Sequence, residues 1–320
     1  MVGEGISFNF HGIRVRIEGA NAELAKDFRH DLAYFIDESP ESPAFTLILA
    51  NATDRPRGWI PAFRLGKRST LYFSWPGEKR VRFYQKAWVN YQPARGIARI
   101  YADDSKLRYE IAHLTLMSYV GEALDRRGLH RMHGLGLTLE EGGKAILVLA
   151  ASGGGKSTLA IQCLNLPGVK ILSDDTPLVS EHGQALAFPL RIGLKEKPPV
   201  PPQFVRTFTR AAHGTKYVIS CNYFQDRIDS DRPVGTLALL RRGDVGEMSF
   251  RQVSRYALVW PLLKWLVIGY ETPQIWELYL RFAPRDVLAH TRVLFSRIRA
   301  ARQLWGQCHT CELFVPRMAM

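Results

Sequence analysis

The run Ala150-Ala151-Ser152-Gly153-Gly154-Gly155-Lys156-Ser157-Thr158 has the residue types and spacing of a phosphate-binding loop. A triphosphate must be held by several converging donors and a cation. A glycine-rich turn at a helix N-terminus supplies the donors, because it aims successive backbone N–H groups at one anion. Gly153, Gly154 and Gly155 permit that turn, Lys156 is expected at the β- and γ-phosphates, and the Ser157 hydroxyl is expected on magnesium. Ala151, Ser152 and Thr158 complete the cradle. The usual pattern opens with glycine where this chain has Ala150, and the cost of that departure depends on the backbone angles there.

Asp174-Asp175 follows the next apolar stretch, where an acidic residue at the carboxyl edge of a parallel sheet meets a metal ion held by the loop serine. Two adjacent carboxylates suggest two roles, one holding magnesium and the other taking a proton from an attacking hydroxyl. An acidic turn that merely caps the next segment is the alternative. His133 precedes the strand that leads toward the loop and could orient a proton on a carboxylate. His130 and His133 could equally be structural. Lys195 and Lys216, the latter after His213-Gly214, are candidate cations for the transferred phosphate, or solvated surface charges.

These groups need elements to position them. Ala145-Ile146-Leu147-Val148-Leu149 is an uninterrupted apolar run suited to a strand buried on both faces, and the loop begins where it ends. A helix is predicted from Ser157 to about Leu166, then a buried strand Val169–Ser173 that delivers the aspartates. Gly134–Leu139 alternates as a strand and turns at Glu141-Gly142-Gly143. Further short strands are predicted at Leu178–Ser180, Ala185–Phe188 and Arg191–Leu194, a Pro-rich surface loop over Lys197–Pro202, and a strand at Thr236–Leu240. Residues 106–125 repeat apolar positions at helical steps. Before them, short alternating runs such as Ile13-Val15-Ile17 and Phe45-Leu47-Leu49 predict a strand-rich region with one helix over Asn21–Ile36. The expected division is a strand-rich domain over 1–105 and an α/β, mixed, strand-rich domain over 106–320 with a helical C-terminal part.

The chain has 320 residues, and its 46% hydrophobic and 23% charged content excludes a disordered chain. Its start lacks the basic and apolar run of a signal peptide, so a cytoplasmic location is expected. The four cysteines are too scattered for a disulfide framework. Cys308-His309-Thr310-Cys311 has the spacing of half a zinc site, but no second pair follows, and a C-terminal strand with Cys311, Leu313 and Val315 inward is expected instead. A net charge of +13 attracts phosphate backbones, yet no helix-turn-helix, zinc-finger or RNA-recognition signature accompanies it, so no specific nucleic acid is expected. Tyr256–Tyr270 is apolar but contains Pro261 and Lys264 and falls short of the roughly 20 residues a spanning helix needs. A buried helix is expected there, with peripheral membrane contact through Trp260 and Trp265 as a minor alternative.

His133-Gly134, the loop form Ser152-Gly153-x-Gly155-Lys156-Ser157 and Ser173-Asp174-Asp175, in this order, resemble the catalytic domain of the HPr serine kinase/phosphorylase family, whose phosphate loop also occurs in phosphoenolpyruvate carboxykinases. The likeness is clear over roughly residues 130–200, as an order-of-magnitude extent. It implies a kinase using ATP, or GTP, with Mg2+. Asp174 would be the base toward a serine hydroxyl, Asp175 the metal-linked partner, His133 the histidine beside the catalytic acid, and Lys156 a catalytic cation. The family's later glycine-rich signature is missing, so HPr itself is not expected as acceptor, and a peptide, another protein or a small molecule takes its place. A nucleotide-driven switch or ATPase with water as acceptor is the competing function, and a carboxykinase-like enzyme the third. Oligomeric state is left open.

Overall fold

Alternating burial builds the first sheet of the computed structural model, which describes residues 5–75, 77–139, 143–210, 214–243, 247–279 and 284–316. Strands β1 (Ile6–Phe10), β2 (Ile13–Glu18) and β3 (Phe45–Ala50) bury every second side chain on one face. With β4 (Pro61–Leu65), β5 (Ser69–Tyr72), β6 (Lys79–Phe83), β7 (Ala87–Gln92) and β8 (Ile97–Tyr101) they form one sheet of order β1-β2-β3-β8-β7-β6-β5-β4. The expected helix is α1 (Ala22–Asp31), started by Asn21, whose side-chain oxygen accepts the Leu24 N–H at 2.9 Å. Phe28 of α1 meets Tyr109 of the long helix α2 (Ser105–Asp125), and Tyr119 of α2 stacks on Phe45 with centroids 3.9 Å apart.

Beyond α2 the chain lays down β9 (Leu129–Arg131), β10 (Leu135–Leu139), β11 (Ala145–Leu149), helix α3 (Lys156–Leu164), β12 (Val169–Ser173), β13 (Leu178–Ser180), β14 (Gln184–Leu186) and β15 (Ile192–Leu194). Strands β16 (Val205–Arg210) and β17 (Gly214–Ile219) come next, followed by β18 (Arg232–Gly243) and β19 (Ser249–Gln252). The chain closes with α4 (Val259–Leu262), α5 (Trp276–Tyr279), α6 (Pro284–Gln307) and β20 (His309–Pro316). The architecture is mixed α/β and strand-rich. Two compact units are each assembled from three segments: residues 1–124, 195–218 and 273–289 in the first, and 125–194, 219–272 and 290–320 in the second. The strand-rich stretch expected over 1–105 falls within the first unit, and α2 joins it almost entirely. Of the expected turn Glu141-Gly142-Gly143, the first two residues lie outside the described residues, as does His213.

The second unit's sheet has the order β12-β10-β11-β18-β14-β13-β9, with β20 also on β18. Its core joins Leu147, Leu149, Leu172, Leu237, Leu258 and Leu262. β11 runs parallel to β18, and β18 parallel to β20, but β10 is antiparallel to both β11 and β12. The carboxyl edge expected of a parallel sheet is therefore an edge of a mixed sheet. β11 and β12 still end on the same side, and β10, running against them, starts there.

The apolar segment after β19 differs from the buried helix expected. It is a 3₁₀ turn, α4 and a π-helical stretch over Leu263–Val267. Leu258, Leu262, Trp265 and Leu266 enter the core, whereas Tyr256, Val259, Trp260 and Tyr270 face solvent. Apolar residues occur all round this helix, and the core has room for one face only.

Candidate functional site

The topology of β10 gathers the site. β11 ends at Leu149 and releases the loop, β12 ends at Ser173 and releases the aspartates, and β10 begins just after His133-Gly134, so all three meet at one sheet edge. The entry to β10 is fixed by backbone bonds: Met132 N–H to Pro177 O at 3.0 Å, His133 N–H to Trp265 O at 3.2 Å and Gly134 N–H to Asp175 O at 3.0 Å. Position 134 is tight, since a Cβ there would stand 3.1 Å from Val148 O and 3.2 Å from a Leu149 methyl carbon.

The loop has the turn its glycines permit. Gly153 and Gly155 have φ of 79° and 102°, conformations that side chains resist. Gly155 caps α3, which opens on Lys156. Ala150 is not among the described non-glycine residues with positive φ, so it replaces the usual glycine without backbone strain. Ala151, Ser152 and Gly153 are exposed, and Ser157 and Thr158 are half-buried on the first turn of α3.

Lys156 is buried, with 5% exposure, and its Nζ donates to Ala150 O at 2.7 Å and Ala151 O at 3.2 Å. It also lies 2.9 Å from His133 Nε2. Glu271 Oε2 stands 3.1 Å from that same nitrogen and accepts the Ser152 N–H at 3.0 Å. One ring nitrogen cannot accept from an ammonium and donate to a carboxylate at once. A neutral His133 with its proton on Nδ1 accepts from Lys156; a ring with a proton on Nε2, neutral or imidazolium, donates to Glu271 and leaves Lys156 to the loop carbonyls. On the other side of the ring, Nδ1 is 3.2 Å from Asp175 Oδ1, within ion-pair reach but without hydrogen-bond geometry.

The two aspartates differ. Asp174 is buried, and its Oδ2 accepts the Ser157 hydroxyl at 3.2 Å. Burial first, and the adjacent Asp175 second, raise its carboxyl to about 7, against the opposing pull of Ser157, Lys156 and Arg191. The Asp175 side chain is 46% exposed and faces His133.

Several residues that sequence reasoning did not single out belong here. Arg242, near the end of β18, lies over the loop: a Cβ on Gly155 would come within 2.5 Å of its Nη2. The Arg241-Arg242 pair at the end of a buried strand was the available signal. Glu271 had none, since it reaches the loop only through tertiary structure. Its segment is tied down by Arg297, whose Nη1 donates to Leu266 O at 3.0 Å while Nη2 meets Asp125 Oδ2 at 2.7 Å. Burial alone would raise Asp125; the Arg297 charge and the bonds from His130 and Arg297 outweigh it and hold the carboxyl below its ordinary value. His130 belongs to this structural cluster, with Nδ1 2.8 Å from Asp125 Oδ1 and Nε2 2.8 Å from Ser296 Oγ.

The candidate cations Lys195 and Lys216 fall in the first unit, and the charge from that stretch that bears on Asp174 is Arg191. Cys311, Leu313 and Val315 lie on β20 as expected; Leu313 and Val315 are buried, whereas Cys311 is only half-buried and Glu312 beside it is buried. Burial pushes the Cys308 thiol up to about 12, and its Sγ donates to Val234 O at 3.5 Å. No protein-family model matches the chain, and no curated protein matches it.

Proposed function

We propose that this chain is an ATP-dependent phosphotransferase of the HPr-kinase-like type, with GTP as the alternative donor, which moves the γ-phosphate to a hydroxyl of a peptide, a protein or a small molecule. The observation that supports it is the meeting, at one sheet edge, of Lys156, Ser157, the Asp174-Asp175 pair and His133. A switch or motor needs the loop and one metal-linked acid; the second, more exposed carboxylate beside a histidine suits a proton acceptor.

The residues fit a magnesium ion. Oxygen ligands about 2.1 Å from an octahedral ion stand roughly 3 Å apart, close to the 3.2 Å between Ser157 Oγ and Asp174 Oδ2. A buried carboxyl raised toward neutrality beside a second carboxylate, despite Lys156 and Arg191, has room for the further countercharge that a divalent cation provides. Among the described residues no group of three or more His, Cys, Asp or Glu forms a metal cage; magnesium commonly takes few protein ligands and completes its shell with water and phosphate oxygens. Bound there, it supplies charge neutralisation to the β- and γ-phosphates.

The resemblance assigns the base to Asp174 and the metal to Asp175. The geometry favours the exchange: Asp174 is buried against Ser157, whereas Asp175 is open to an incoming hydroxyl and faces His133. Lys156 and Arg242 are the cations at hand for the transferred phosphate. The purified chain with γ-labelled ATP and Mg2+ is expected to label a hydroxyl acceptor; release of label to water alone, with every acceptor offered, overturns the transferase reading. Within it, Asp175→Asn is expected to lower transfer at least ~100-fold with the Mg2+ requirement unchanged. Asp174→Asn is expected to raise the Mg2+ concentration needed, and the opposite pattern restores the assignment drawn from the resemblance.

A further inference from the structure

The β4–β5 hairpin differs from every strand pair beside it. From Arg55 to Gly77 the sequence holds five basic residues, Arg55, Arg57, Arg64, Lys67 and Arg68, and no acid. Phe63 pairs with Leu71 and Leu65 with Ser69, so Phe63, Leu65 and Leu71 share a face. Phe73 continues β5, its N–H bonded to Ile60 O. The inner strands of this sheet bury alternate residues, but β4 exposes all of its residues on both faces. Ile60, Phe63, Phe73 and Trp75 are 64%, 63%, 64% and 76% exposed. Scattered exposed apolar residues are ordinary; four large ones on one hairpin are not.

We propose that this hairpin docks on an anionic lipid surface. The side-chain chemistry is that of the headgroup layer, where tryptophan and phenylalanine immerse their rings and Lys and Arg meet lipid phosphates. β4 is the last strand of its sheet, and a peptide strand added to its edge would cover β4 while leaving Phe73 and Trp75, one strand further in, in water. A headgroup layer covers both strands and both faces. Among the described residues no helix is long and apolar enough to cross a membrane, so the contact is interfacial. Arg55 stacks over Trp59 and Trp88, and Arg68 is 3.9 Å from Glu277. The exposed Arg57, Arg64 and Lys67 therefore carry most of the attraction. This surface is independent of the phosphotransferase reading.

The test is co-sedimentation of the full chain with vesicles of phosphatidylcholine alone or mixed with phosphatidylglycerol. Binding is expected only to the mixed vesicles, to weaken as salt rises, and to fall about fivefold for each of Arg64→Gln and Lys67→Gln. Phe73→Ser with Trp75→Ser is expected to cost at least roughly tenfold at an unchanged melting temperature. Quenching of tryptophan emission by brominated lipid is expected to drop in Trp75→Phe, which keeps the fold. The proposal is overturned if wild type ignores anionic vesicles or if the hairpin variants bind as wild type does, placing the contact elsewhere on the basic surface. It is also overturned if the chain self-associates and loses that association in Phe73→Ser with Trp75→Ser, which makes the hairpin a protein interface.

Discussion

Asp174 is buried beside a second carboxylate, and its proton is held to about pH 7. A carboxyl whose folded-state pKa lies above its unfolded value favours the protonated native state. That stability is fully present below about pH 4, the unfolded pKa, and is lost as pH rises toward about 7. Asp174→Asn is therefore expected to match wild type near pH 4 and to exceed it above pH 7 by up to ~4 kcal/mol in thermal or urea unfolding without Mg2+. Parallel pH curves for the two proteins would show that burial does not tax the charge. Glu271 makes a second prediction. Its carboxylate holds the Ser152 N–H, a donor expected to face phosphate, and it does so from a left-handed backbone with φ of 67°. Glu271→Gln removes the competing charge and is expected to tighten nucleotide binding roughly tenfold by titration calorimetry; weaker binding would make Glu271 a helper of the nucleotide. The loop residues and both aspartates were legible in the sequence because spacing carries them. Glu271 was not, since it lies 119 residues from Ser152 and no period links them.

At the scale of elements, the apolar runs Ala145–Leu149 and Val169–Ser173 announced β11 and β12, and the helix expected over Asn21–Ile36 is α1, which stops sooner, at Asp31. Direction was not legible. Alternation in Gly134–Leu139 marks a strand, but no pattern within a strand records which neighbours it will pair with or whether it runs with or against them. That choice decides the site, because only an antiparallel β10 delivers His133 to the edge where β11 and β12 end. The apolar segment Tyr256–Tyr270 misled for a related reason: hydrophobicity all round a helix gives the area to be covered, not what covers it. The entry to β10 is tight. Gly134→Ala forces a Cβ to within 3.1 Å of Val148 O and is expected to cost about 1–3 kcal/mol. By shifting His133 it should also weaken nucleotide binding, with both losses seen together in melting and titration. A fully stable variant with impaired binding would mean that the histidine moves without strain in the sheet.

For the whole molecule, composition foretold a folded, basic chain and the alternating runs a strand-rich first part, and the structure is mixed α/β. How the chain is apportioned between units was hidden, because the segments that complete each unit are far apart in sequence. Asp31 of α1 is buried and satisfied by Arg206, Nε to Oδ1 at 3.0 Å, and Ser69 donates to Glu277 at 2.7 Å. Residues 1–124 expressed alone lack both partners: Asp31 keeps His30 and the Tyr109 hydroxyl but loses the Arg206 guanidinium, a loss of about 3 kcal/mol. The fragment is expected to show no cooperative unfolding by circular dichroism, whereas a sharp transition would make it an autonomous domain. With three segments in each unit, neither is a cassette: no single cut of the gene frees one, no simple fusion transplants the glycine-rich loop with its sheet, and inheritance of the site entails inheritance of the whole stretch from 125 to 320.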